Sequence, residues 1–372
     1  MRPASRVAAL RPSPIRLLSE GAPADAIPLG LGEPTWAMPE PARRALAAFA
    51  GVCAYGPNAG LPDLRAAVAA YHHAEPDEVL ITSGSEEALF ALLQAWVEPG
   101  DKVLVPDPGF VAYASLTTLA GGEAVPYPLA AADRFRLDAD ALIARLDTPG
   151  LKAVVLNHPS NPTGGGTEAD PLRRVAEACE ARGLLLISDE VYRDLHFGVP
   201  QPSLRDVSRH GVVTSSVSKG WGAPGLRVGW MVGDPRWLAP ARTVHAFAVT
   251  AAAAPSQLAA LALLEASDTV LPAARREVAL RFEALAEAMH EHFHQDLEPP
   301  DGAFYHWLAL PPSAHADPMA FALRLRDEAR VVLVPGLTFG EAGRGHARLS
   351  FAAAPDQIRE GVKRLAPFWR SA

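Results

Sequence analysis

A chain of 372 residues with net charge −8, from 34 Lys+Arg against 42 Asp+Glu and with no basic block, is poorly suited to nucleic acid or an anionic membrane surface. Its 49% hydrophobic and 20% charged residues describe an ordinary globular protein, long enough to bury a large core and to divide in two. No apolar run could span a bilayer, and Cys53 and Cys179 are too few for a disulfide framework, which suits a reducing, cytoplasmic setting.

Arg2, Arg6, Arg11 and Arg16 precede the first acid, Glu20, a bias that transit peptides share. The run I-P-L-G-L-G-E-P at 27–34 predicts a short strand ending at Gly32, where a residue without a Cβ permits close approach. Pro39 and Pro41 open a predicted helix through R-R-A-L-A-A-F. A turn at 55–61, Y-G-P-N-A-G-L, leads into an alanine-rich amphipathic helix ending near Tyr71. Then V-L-I, T-S-G-S-E-E and A-L-F-A-L-L-Q-A-W predict strand, glycine loop and helix from 79 to 96. Such a loop presents free N–H groups at a helix N-terminus, a site for an anion.

A buried strand at 102–106 delivers D-P-G-F, so that Phe110 falls at a strand's C-terminal end, where open α/β sheets bind ligands. A-V-V-L at 153–156 runs into N-H-P-S-N-P-T-G, and L-L-L-I-S at 184–188 runs into Asp189-Glu190-Val191-Tyr192. Such continuous apolar runs are the pattern of parallel strands covered on both faces. A carboxylate ending one of them, as Asp189 does, calls for a cationic partner. V-V-T-S-S-V-S-K-G-W-G-A-P-G-L-R-V-G at 212–229 brings Lys219 off a strand end beside Ser216 and Ser218, with Arg227 after a glycine turn. An amine, hydroxyls and a guanidinium so placed suit Schiff-base chemistry on a carbonyl compound that carries a phosphate. Beyond, a helix from about 272 to 293 carries His290, His292 and His294. They read as a solvated face rather than a metal site, since no Cys or carboxylate cluster accompanies them. Arg348 lies mid-strand in A-R-L-S-F-A, where an unpaired arginine should not persist.

S-x-S-K with G-x-R-x-G, preceded by N-x-P-x-N-P-T-G and by an Asp-x-x-Tyr strand end, resembles the class I/II aminotransferases, pyridoxal 5′-phosphate (PLP) enzymes of fold type I. The resemblance runs over essentially the whole chain, and it places the arginine-bearing N-terminus in the mature protein. It implies a large domain at 46–274, with a mostly parallel mixed sheet flanked by helices, and a smaller α+β domain from 1–45 plus 275–372. It implies an enzyme that moves an amino group from an L-amino acid to a 2-oxo acid through an aldimine on Lys219. On the family's pattern Asp189 pairs with the pyridine nitrogen, Asn161 and Tyr192 with the phenolic oxygen, and Phe110 stacks on the ring. Gly84, Ser85, Glu86, Ser216 and Arg227 surround the phosphate. Gly32, Asn161 and Arg348 bind substrate, and Tyr55 reaches the cofactor of the second subunit in a homodimer.

In aspartate-specific relatives a basic residue at the position of Glu86 holds the distal carboxylate. Glu86 either repels that carboxylate, favouring neutral or basic donors with Trp36 as an apolar wall, or faces solvent, where its charge suits the helix dipole. The same fold also implies rivals: a C–S lyase, an amino-acid decarboxylase, or a non-catalytic effector-sensing protein. The last would need an added DNA-binding domain, for which the sequence before Gly32 leaves no room.

Overall fold

The structure is a computed structural model and describes residues 2–370 apart from Arg11 and Gly51; the arginine bias noted at Arg11 therefore lies outside the described residues. Seven strands form one sheet: β1 (Val79–Thr82), β2 (Lys102–Asp107), β3 (Glu123–Pro128), β4 (Leu151–Asn157), β5 (Leu185–Asp189), β6 (Val212–Ser216) and β7 (Gly229–Gly233). Their order is β1-β7-β6-β5-β4-β2-β3, and only β7 runs antiparallel to its neighbours.

The two-residue period of a strand explains why the central runs are apolar throughout. Val154, Leu156, Leu186 and Val213 face one core with the helices Pro62–Tyr71 and Ala169–Ala181. Ala153, Val155, Leu185 and Ile187 face the other, with Ser85–Trp96 and Pro235–Ala248.

A second, antiparallel sheet has the order β8-β10-β9: β8 (Tyr305–Ala309), β9 (Val334–Pro335) and β10 (His346–Ser350). The helices Ser267–Phe293 and Pro355–Arg370 back it, and Ile27 and Leu29 from the N-terminal segment enter the same core.

Two expected elements differ. The strand at 27–34 is a single bridge, Ile27 to Val331, because Leu29 N, the next donor on that edge, bonds back to the Ile27 carbonyl at 3.0 Å. The long helix starts at Ser267 rather than near Pro272. Thr269 N and Val270 N bond to the Ala266 carbonyl and close its first turn, so Pro272 sits inside the helix. Among the described residues no helix is long and apolar enough to cross a membrane. No group of three or more potential metal ligands occurs among them either, and His290 Nδ1 pairs with Asp296 Oδ1 at 2.7 Å.

Candidate active site

The parallel strands end together. Asn157 at the end of β4 lies opposite Asp189 at the end of β5, which lies opposite Thr214 in β6. Asn157 donates to the Asp189 carbonyl (3.0 Å) and accepts from Asn161 N (2.8 Å), which pins the proline-rich loop against the strand ends. Above them opens a cavity of about 790 Å³ whose wall includes Asn161, Asp189, Tyr192, Lys219, Arg227 and Arg348.

Asp189 is 4% exposed; Tyr113 Oη donates to its Oδ2 at 2.7 Å, and Val191 N approaches Oδ1 at 3.3 Å. Burial pushes this carboxyl up to about 6, although the Tyr113 bond pulls the other way. It is an acid facing a cavity without a cation in contact among the described residues.

Lys219 Nζ donates to the Gly32 carbonyl. Burial first, then the charges of Arg348 and Arg227, lower its pKa to about 8, while Glu33 and Asp189 oppose the shift. The backbone at Gly32 meets a side chain that sequence reasoning did not anticipate. A Cβ there would lie 2.2 Å from Tyr305 Oη, so the space that the glycine leaves is taken by a tyrosine hydroxyl. That hydroxyl is 2.5 Å from Tyr192 Oη.

Arg348, mid-strand in β10 and 2% exposed, does find partners: Asn161 Oδ1 at 2.6 Å and the Gly30 carbonyl at 2.7 Å. Its guanidinium lies 4.6 Å from the Tyr305 ring centroid and 4.7 Å from that of Phe339, and its buried Nε has no partner among the described residues.

The anion corner is built by backbone convergence. Gly84, at φ 89°, caps the Ser85–Trp96 helix, and Ser85 and Glu86 of its first turn line the cavity. In β7, Gly229 pairs with Thr82 on one side and Ser216 on the other. A Cβ on Gly229 would stand 2.5 Å from Ser85 N, so only glycine lets the helix start this close to the sheet. Arg227 donates to the Pro224 carbonyl at 3.0 Å and lies 3.5 Å from that of Ser83, which sets its charge beside the loop.

Not every expected residue reaches the cavity of its own chain. Ser216 is fully buried and accepts from Ser218 N at 3.2 Å; of these two serines it is Ser218 that lines the wall. Tyr55 is 90% exposed and lines a separate hollow of about 360 Å³ with Ser83 and Pro255. Trp36 packs edge-on to Phe304 at 6.4 Å rather than on the cavity wall. Phe110 and Gly32 do line it. Tyr113, Asn157 and Tyr305 were missed, as were Ser13, Ile15 and Arg16, which also line the cavity. Tyr113 was findable, since it follows Phe110 by three residues and its N–H bonds to the Phe110 carbonyl at 3.1 Å as the helix Ala112–Ala120 begins.

The donor set fits PLP. A lone amine, a buried carboxylate lacking a cation, a phenol and an amide, and a corner of N–H groups with a guanidinium match its aldehyde, ring nitrogen, phenolic oxygen and phosphate.

Residues 24–365 match the family described as aminotransferase class I and II. The aspartate/prephenate aminotransferase of Thermus thermophilus is 33% identical over 380 residues, covering 98% of this chain and 96% of that protein. The probable N-acetyl-LL-diaminopimelate aminotransferase of Bacillus subtilis is 32% identical over 355 residues, covering 92% of this chain and 89% of that protein. The crystal structure of an aminotransferase from Mycobacterium tuberculosis superposes with a TM-score of 0.91 at 30% identity, covering 100% of each chain.

Proposed function

The chain belongs to the class I and II aminotransferases, and from that premise we propose how its own residues carry the reaction. It is a PLP-dependent transferase that moves an amino group from an amino acid to a 2-oxo acid. When bound, PLP supplies the carbonyl that takes up the amino group and the ring that draws off the electron pair left at Cα.

One observation carries the assignment of roles: the Lys219 amine, lowered to about 8, shares one cavity with Asp189, Asn161, Tyr192 and Arg348. At that pKa Lys219 Nζ is partly neutral near physiological pH, so it can attach the cofactor and then move the proton at Cα. Asp189 holds a proton on the ring nitrogen by charge pairing, which relieves its own buried, unpaired state. Tyr192 and Asn161 bond the phenolic oxygen, and Phe110 covers the ring. Gly84, Ser85, Glu86 at the helix start, Ser216 and Arg227 form the surround of the phosphate, with Ser218 the hydroxyl placed to act directly. Arg348 receives the α-carboxylate as a fork, with its unpaired Nε as spare donor, and Gly32 and Asn161 border that pocket. This fixes which bond at Cα faces Lys219.

Val52, Tyr55 and Phe247 are 90%, 90% and 91% exposed, which supports a face covered by a second copy, with Tyr55 reaching the partner's site. The large domain at 46–274 holds all seven strands of the first sheet, and the segments 1–45 and 275–372 build the second body. Two free cysteines support a cytoplasmic protein. Glu86 on the cavity wall supports neutral or basic donors over aspartate.

Transamination is tested by its products. An amino acid given to the PLP-loaded enzyme should yield the 2-oxo acid of the same carbon skeleton. Pyruvate with ammonia would mark a lyase instead, and CO2 a decarboxylase.

A further inference from the structure

Tyr192 and Tyr305 present a proton-counting problem. Burial raises the pKa of both hydroxyls, so both oxygens carry a proton at neutral pH. They are 2.5 Å apart, and that one bond uses one of the two protons. If Tyr192 gives its proton to an acceptor in the cavity, Tyr305 must be the donor within the pair.

Tyr305 is placed to be that donor. It is 1% exposed on β8, its hydroxyl fills the space left by Gly32, and Arg348 lies over its ring at 4.6 Å. A cation on the face of a phenol makes its O–H a better donor. Arg348, Asp189 and Lys219 lie about this pair, and Glu33, Glu86, Arg227, Arg16 and Tyr113 are the other charged or titratable groups on the cavity wall.

We propose that Tyr305 is a positioning residue: it donates to Tyr192 and so aims the Tyr192 proton at the cofactor's phenolic oxygen, and its ring ties that arrangement to the carboxylate-binding Arg348. The inference rests on the contact of Tyr192 with the cofactor proposed above. A chain Tyr305 to Tyr192 to oxygen strengthens the final bond, because each donation polarises the next hydroxyl. A stronger donor to a phenolate favours its deprotonated form, so this relay holds the pH midpoint of the cofactor's visible band low.

The test is a double-mutant cycle read by absorbance. Tyr305→Phe keeps the ring under Arg348 and removes only the hydroxyl. With PLP bound, it should raise the midpoint of the visible-band titration by about half a unit or more. In a Tyr192→Phe background the same substitution should leave the midpoint unmoved, since the relay is already cut. Gly32→Ala, which crowds the Tyr305 hydroxyl, should raise the midpoint as well and serves if Tyr305→Phe does not fold. An equal shift in both backgrounds, or no shift in either, overturns the proposal. A wild-type protein that shows no visible band with PLP would instead overturn the reading of the site on which this one stands.

Discussion

Arg348 Nη1 lies 2.6 Å from Asn161 Oδ1, which joins β10 of the small sheet to the loop that follows β4 of the large one. A buried guanidinium held by an amide and by the Gly30 carbonyl, with no carboxylate in contact among the described residues, is suited to take an anion.

Replacing Arg348 by lysine should therefore hurt substrate more than cofactor. Lysine keeps the charge but loses the planar fork, so KM for the amino acid should rise on the order of 100-fold, ~3 kcal/mol, with PLP affinity little changed. Steady-state kinetics alongside a PLP titration check this. A comparable loss of PLP affinity would place the arginine elsewhere in the site.

The cofactor-free protein should carry the cost of Asp189 in its pH–stability curve. Its carboxyl titrates near 6 when folded against an ordinary 3.8, because it is buried without a cation. Between those values the folded chain binds more protons than the unfolded one, so this group makes stability fall as pH rises through that window. Asp189→Asn should stabilise the cofactor-free protein by up to about 3 kcal/mol at about pH 8 and by little at about pH 4. The loaded variant should be nearly inactive. Urea unfolding at both pH values checks the first point, and an Asn variant less stable at each would contradict it.

Much of this site was legible because its parts end apolar runs. Asp189 closes a strand whose residues are buried on both faces, and an acid there has to have a use; the loop that carries Asn161 follows another such strand. Lys219 and Arg227 stand beside residues whose small size is itself a signal, as Gly229 shows by its contact with Ser85. Tyr305 was not legible. Its role arises where β8, the 27–34 segment and Tyr192 meet, three stretches far apart in sequence, and no local pattern encodes that meeting. The missing strand at 27–34 has the opposite lesson: its Ile27 and Leu29 are buried as the apolar pattern implies, but Leu29 N turns back to the Ile27 carbonyl and the ladder stops after one bridge.

Tyr55 is predicted to act across a subunit boundary. Mixing an inactive Tyr55 variant with an inactive Lys219 variant should restore part of the activity, because a hybrid dimer assembles one intact site. The check is activity against the fraction of hybrid formed. Hybrids that form and stay inactive would return Tyr55 to a purely structural role.

Glu86 should set the charge preference of the donor. Glu86→Gln removes a negative charge from the cavity wall and should raise kcat/KM for aspartate about tenfold, ~1.4 kcal/mol, while changing a neutral donor little. Single-turnover rates over a panel of amino acids measure it. Aspartate as the fastest donor of the unaltered enzyme, indifferent to the substitution, would show that Glu86 serves only the helix dipole.

Lys219 is predicted to be the amine that holds the cofactor, and chemical trapping checks that role. The protein loaded with PLP is reduced with borohydride, digested and sequenced by mass spectrometry. The visible band should disappear and the pyridoxyl mass should sit on Lys219, with none on Lys102, Lys152 or Lys363. A band that survives reduction, or a label on any of those other lysines in place of Lys219, would contradict it.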